Sequence, residues 1–279
     1  MRVGLQPIAL AFVIVASSPV WAEEYPPAAA SVPRVHEPAV EPLVSKRYAQ
    51  LMFEDLSAVL SSPLRWKAKA WALFGIDAAA VIGTAAVLDR PVQKTNERHR
   101  TKAMTVIAHV FDPLGNECAL VVPGGFYLAG VLRRHDKEKA VAQDSLAATF
   151  VEAGVVAPML KLAIGRGLPK DSGGAFHFRP FSGKGVFPSG HTGEAFTLAA
   201  VVSAHYDQTW VKGTVYGVAG MVGISRIVDN AHYASDVLAG AMIGTAIGRA
   251  VACFNQQQRL QVVPLVEDQA KGVQFVYAF

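Results

Sequence analysis

The sequence predicts an all-α protein, a helical bundle of about six core helices followed by a short C-terminal β-hairpin. Three observations lead there. Six apolar stretches alternate with charged or Gly/Pro-rich breaks, and all six are rich in Ala, Gly and Val, which suits close helix packing. The composition is 52% hydrophobic and only 17% charged, against a globular norm of about 25% charged. That balance asks for a large buried or lipid-facing core and excludes a disordered chain. A net charge of +4 over 279 residues is too mild for a protein that coats nucleic acid.

The N-terminus reads as a secretory signal over residues 1–22. Arg2 precedes the apolar run Ile8 to Ala16, and small residues stand at minus three and minus one of the Ala22–Glu23 bond. An uncleaved anchor helix is the alternative, and either way residue 23 emerges outside the inner membrane. Residues 23–45 hold Pro26, Pro27, Pro33, Pro38 and Pro42 and read as a linker. From Lys46, the residues Tyr48, Leu51, Met52, Leu56, Val59 and Leu60 recur at helical spacing until Ser61-Ser62-Pro63 breaks the pattern. An amphipathic helix of this kind covers a core or lies on a membrane surface.

The six stretches run from Trp71 to Leu88, Cys118 to Leu132, Leu146 to Ile164, Gly193 to Ala204, Val211 to Ile224 and Val237 to Phe254. The charged breaks at Arg90 to Lys102 and Arg133 to Lys139 read as solvated loops. A bilayer span needs about 20 apolar residues, several stretches are shorter, and Asp77, Glu152 and Lys161 interrupt them. If every stretch spans, the third ends on the cytoplasmic side. The site then faces the cytoplasm, or some stretches do not span, or the bundle is periplasmic. Residues 255–279 form a tail in which Val273, Phe275, Tyr277 and Phe279 alternate beyond a polar turn, the pattern of a hairpin. Cys118 and Cys253 sit in apolar stretches and read as core thiols, a single bridge between them in an oxidising compartment being the less favoured alternative.

Chemistry gathers in three motifs: Lys161-Leu-Ala-Ile-Gly165-Arg166-Gly-Leu168-Pro169, then Pro188-Ser189-Gly190-His191, then Ser225-Arg226 with His232 and Asp236. Together they offer three cations, a loop opening a helix and two histidines. Backbone N–H groups at a helix start favour a phosphate, and Lys161, Arg166 and Arg226 neutralise its charge. His232 and Asp236 are four residues apart and share a helix face, so Asp236 can accept the Nδ1 proton and leave Nε2 free to attack phosphorus. His191 then supplies a proton to the leaving oxygen. Asp229 and Asn230 shape the pocket or turn the chain. The eight histidines show no zinc spacing, the Gly165–Gly174 run is not a nucleotide loop, and no metal or cofactor is expected.

At these residues the sequence resembles the type 2 phosphatidic acid phosphatase and vanadium haloperoxidase superfamily, over about residues 146–254. The second and third motifs match the superfamily pattern fully. The resemblance implies a helical phosphatase domain at 46–254 and a metal-independent phosphomonoesterase that forms a phosphohistidine on His232. It further implies that Lys161, Ser189, Gly190, His191 and Arg226 hold the phosphate, with His191 as the acid and Asp236 behind the nucleophile. One position departs: Leu168 stands where the superfamily has the arginine before proline. Arg166 and Arg179 are the candidate substitutes. A phosphorylated lipid or small phosphomonoester is the expected substrate, at the membrane of the cell envelope, with no nucleic acid as partner. The alternatives are a phosphate-lipid-binding protein with catalysis impaired at Leu168, and a vanadate-dependent haloperoxidase.

Overall fold

The computed structural model describes residues 40–116, 118–171, 173–267 and 270–277, with the side chains of 118, 119 and 260 onward excepted. The expected signal segment and most of the linker lie outside the described residues. Nine helices occupy the described residues: α1 (Lys46–Ser61), α2 (Ala68–Val87), α3 (Asp89–His99), α4 (Lys102–Phe111), α5 (Cys118–Arg133), α6 (Asp136–Ile164), α7 (Gly190–His205), α8 (Thr209–Val228) and α9 (Ala234–Arg259). The all-helical class therefore holds, and the expected count of six is too low. The hairpin expected at the C-terminus falls on residues whose side chains are outside the described set. The backbone there runs as two antiparallel segments, Leu260–Glu267 and Ala270–Tyr277.

The unexpected helix α3 replaces the charged break at 90–102, and the unexpected α4 follows it. In α3, Arg90, Lys94 and Arg98 point outward while Asp89 and Asn96 are buried. The charge run is thus one face of a helix whose other face is tied inward, Asn96 donating to the carbonyls of Ile227 (2.9 Å) and Val228 (3.1 Å) at the end of α8. Thr101 caps α4 by accepting from the Met104 N–H. Helix α6 begins ten residues before its apolar stretch because Gln143 and Asp144 are buried polar residues rather than loop residues. Its middle, Phe150–Val156, is a π-helical segment.

The centre of the bundle is the parallel pair α7 and α9. Small residues let the backbones touch: a methyl group at Gly240 would stand 2.5 Å from the Ser189 carbonyl oxygen, and one at Gly248 would stand 2.5 Å from that of Thr197. Ala195, Phe196 and Ala199 of α7 pack with Ala219 and Val222 of α8 and with Leu238 and Ala241 of α9. Further along, Val201 meets Ala147, Ala148 and Val151 of α6, Ile247 and Val251 of α9, and the apolar side of α1 through Met52, Leu56 and Val59. The amphipathic helix α1 therefore covers the core.

Helices α2, α6 and α9 are long and apolar enough to cross a membrane. The outer helices also expose large apolar side chains, among them Ile76, Ile82, Val106, Leu120 and Leu132, which water would not favour and a lipid phase would. Cys253 on α9 is a free, half-buried thiol.

Candidate active site

Because α7 and α9 run in parallel, both N-termini open at the same end of the bundle, and their positive dipole ends converge there. Ser189 caps the junction. Its N–H donates to the Asp236 carbonyl (3.0 Å), and its hydroxyl lies 2.9 Å from that of Thr192. Ser189 is fully buried, so it builds the helix start on which Gly190 and His191 stand. The end of α6 reaches the same place: a methyl group on Gly190 would lie 2.9 Å from the Lys161 ammonium. Glycine leaves that cation room to sit directly over the first turn of α7.

Arg226, in the last turn of α8, forms the opposite wall. Its guanidinium pairs with Asp112, in the short turn Asp112–Gly115, through one terminal nitrogen, while Nε is buried with no hydrogen-bond partner among the described residues. The Arg226 carbonyl accepts from the N–H groups of Ala231 (3.0 Å) and His232 (3.3 Å), which folds the chain back and brings His232 to the pocket. His191 Nε2 lies 3.9 Å from Asp112 Oδ1. Asp112 was not among the residues singled out from sequence, and it stands between the expected acid and the expected phosphate cation. Lying in an Asp-Pro turn, it carries no signal by itself.

His232 is nine-tenths buried, with Nδ1 3.6 Å from Asp236 Oδ2. Burial lowers its pKa below the ordinary imidazole value, Arg226 and Lys161 push the same way, and Asp236 opposes them. The ring is therefore neutral at neutral pH, with a lone pair on one nitrogen. Asp236 is fixed on both oxygens: Oδ2 accepts from the Tyr233 N–H (3.0 Å), and Oδ1 from Arg166 Nη1 (2.5 Å).

Arg166 is a correction to the sequence reading. It is 1% exposed and lies behind Asp236, away from the cradle. Nη1 also donates to the Ser235 hydroxyl (2.6 Å), Nη2 to Asp89 Oδ2 (2.6 Å), and Nε and Nη2 to the Ala175 carbonyl (2.9 and 2.7 Å). The Tyr233 ring stacks on the guanidinium, 4.4 Å from its centroid. With every nitrogen engaged by the protein, this side chain has no donor left for a phosphate. Asp89, also missed from sequence, accepts the Ser235 N–H (2.9 Å) and hydroxyl (2.6 Å) and so holds the start of α9. Nothing local marks Asp89, because its partner is 146 positions away.

The remaining candidates fall outside the cradle. Leu168 is half-buried in a turn where its N–H donates to Asp171 Oδ2 (3.0 Å). Arg179 is exposed, its backbone N–H bonded to the Gly165 carbonyl (2.7 Å). Asp229 and Asn230 dock α3, Asp229 through Arg100 (2.9 Å) and Asn230 through Glu97 (3.1 Å), so they turn the chain rather than line the pocket. Of the charges interrupting apolar stretches, Lys161 reaches the cradle. Glu152 is fully buried in the π-helical segment against Gly193, with neither carboxylate oxygen bonded among the described residues. The described residues contain no group of three or more His, Cys, Asp or Glu that could hold a metal ion.

Known proteins resemble the segment that carries this site. Residues 145–260, which include all three motifs, match the PAP2 superfamily. A lipid A 1-phosphatase of Porphyromonas gingivalis is 47% identical over 64 residues, covering 22% of this chain and 14% of that protein. Lipid A 1-phosphatases of Rhizobium etli and Rhizobium johnstonii are each 36% identical over 104 residues, covering 34% of this chain and 43% and 41% of theirs. The chain thus aligns with less than half the length of these relatives. No solved structure matches. Two helix starts, two histidines and two cations thus meet within a segment, residues 145–260, that is similar to the PAP2 superfamily.

Proposed function

We propose that this protein is a metal-independent phosphatase of a phosphorylated lipid, working through a phosphohistidine on His232. The observation that carries the reading is the neutral, buried His232, backed by Asp236 and sharing its pocket with Lys161, Arg226 and the first turn of α7. The phosphate sits on the N–H groups of that turn, between the two cations. His232 Nε2 attacks phosphorus, Asp236 stabilises the imidazole as it gains charge, and the bond to the leaving oxygen breaks as His191 protonates it. His191, now deprotonated, takes a proton from water, whose oxygen attacks phosphorus and cleaves the P–N bond. Inorganic phosphate leaves with His232 restored. The names of the relatives make the 1-phosphate of lipid A the first natural substrate to test. The signal-like N-terminus supports a place in the cell envelope.

A second reading has its own support. Leu168 removes one expected phosphate ligand, and Asp112 occupies part of Arg226, so the site would bind a phosphorylated lipid with little turnover. One experiment separates the two: phosphate release, with chelator present, from an aryl phosphate, phosphatidic acid and lipid A. Wild type should release phosphate from a lipid, His232→Ala should lose about a thousandfold, and Leu168→Arg should gain up to about 100-fold if the lost donor limits the rate. Lipid binding without release by folded wild type, or unimpaired release by His232→Ala, would overturn the phosphohistidine reading.

A further inference from the structure

The loop 165–188 leaves α6 just after Lys161 and returns at Ser189, so both of its ends are parts of the cradle. It is tightly bonded. Gly167 N–H donates to the His177 carbonyl (2.9 Å), Phe181 N–H to that of Leu162 (2.7 Å) and Val186 N–H to that of Arg166 (2.9 Å), while Arg166 clamps Ala175 from below. What this frame displays outward is apolar. Phe176 is 54% exposed and Phe181 75%. Phe181 also has φ 61°, a left-handed conformation disfavoured for a bulky side chain. The fold thus holds a phenyl ring away from itself at a backbone cost, with no burial gained in return.

The surroundings identify what covers these rings. Met159 and Leu162 on α6, a helix apolar and long enough to span, are exposed, and the Leu162 carbonyl is the acceptor for Phe181. The exposed apolar side of α6 therefore continues onto the loop. Lys170, Arg179 and Lys184 are exposed on the same loop against one exposed carboxylate, Asp171. Aromatic side chains among cations at the end of a span match the headgroup region of an anionic leaflet.

We propose that loop 165–188 is an interfacial anchor. Phe176 and Phe181 enter the acyl boundary of an anionic phospholipid leaflet, the three cations meet its headgroups, and the Lys161–Gly190 cradle is thereby held at the depth of lipid phosphates. The consequence for turnover rests on the phosphatase reading; the anchoring does not. In proteoliposomes of the full chain, Phe176→Ser with Phe181→Ser should lower turnover of phosphatidic acid about tenfold and leave hydrolysis of a soluble aryl phosphate unchanged. The corresponding pair of leucine substitutions should restore it. Independently of catalysis, the fluorescence added by Phe181→Trp should be quenched by phospholipids brominated near the acyl carbonyl. Equal loss on both substrates, unchanged lipid turnover in the serine pair, or absence of quenching would each overturn the anchor. If wild type hydrolyses neither substrate, the phosphatase reading fails and the quenching alone decides the anchor.

Discussion

Arg166 sits between two buried carboxylates, Asp89 and Asp236, and reaches the pocket only through Asp236 and His232. Buried charges of this kind are costly unless every donor and acceptor is used, and here all the guanidinium nitrogens are used. A positioning residue and a phosphate ligand differ in how they fail. Arg166→Lys keeps the charge but loses the planar fork, so kcat should fall about 10- to 100-fold while KM stays close to wild type. A rise in KM with kcat preserved would place Arg166 on the substrate instead. The expectation that Arg166 replaces the arginine missing at Leu168 failed for a simple reason. Proximity in sequence put it two residues from the gap, but the chain turns at Gly165, which is left-handed with φ 62°, and sends the side chain inward. That Lys161, Gly190, His191, Arg226, His232 and Asp236 lie together could be expected from sequence, because their spacing reflects local geometry: a helix end, a helix start, and an i, i+4 pair.

At the scale of elements, the site depends on how closely α7 and α9 approach. Gly240, Gly244 and Gly248 are spaced one helical turn apart on α9, and Gly244 lies directly against the Gly193 carbonyl in the first turn of α7. A side chain there must part the two helix starts. Gly244→Val should therefore destabilise the protein by about 1–3 kcal/mol and reduce activity more than stability, since Ser189 loses its bond to the Asp236 carbonyl when α9 moves. Thermal unfolding alongside turnover measures both. A variant with wild-type activity would show that the close pairing is not needed for the site. The longer elements of high apolar content were read correctly from sequence. Helix α3 was not, because charged residues that cover one face of a docked helix look the same in sequence as those of a solvated loop, and α4 was not, because its ten residues are too short a run to stand out beside the longer stretches.

Across the whole molecule, the parallel pair has a second polar end. Roughly 28 Å along α9 from Asp236, Asn255 donates to Asp144 (3.0 Å) and Asp55 (3.1 Å), while Arg259 grips both oxygens of Asp144 (2.7 and 2.9 Å) and His205 lies 2.8 Å from it. Tyr48 of α1 donates to the Gln143 carbonyl (2.9 Å). Burial raises the pKa of Asp55 to about 8, opposed by the Asn255 hydrogen bond and Arg259 and aided by Asp144 and Glu54. The folded state thus holds a proton there that the unfolded chain releases near pH 4. The stability this contributes is complete at acid pH and declines as pH rises through the range up to about 8. Asp55→Asn keeps the hydrogen-bonding shape without the charge, so its Tm should exceed wild type by roughly 10 °C at pH 8, the difference vanishing near pH 4. A Tm difference that does not change with pH would show that Asp55 does not titrate on unfolding. This network ties α1, α6, α7 and α9 together at the end opposite the site, so the cradle is held from both ends of its helices.

The sequence by itself determined the helical class, the longer apolar segments and which residues to look for at one place, because hydrophobic periodicity and short motifs are local properties of the chain. Only the tertiary structure decided that Asp89 holds the start of α9, that Asp112 meets Arg226, and that Arg166 serves Asp236 rather than a phosphate. Each is a buried pairing between residues remote in sequence, or a turn of the backbone that redirects a side chain. A charge must find its partner when it leaves water, and which partner it finds is fixed by packing, not by position along the chain.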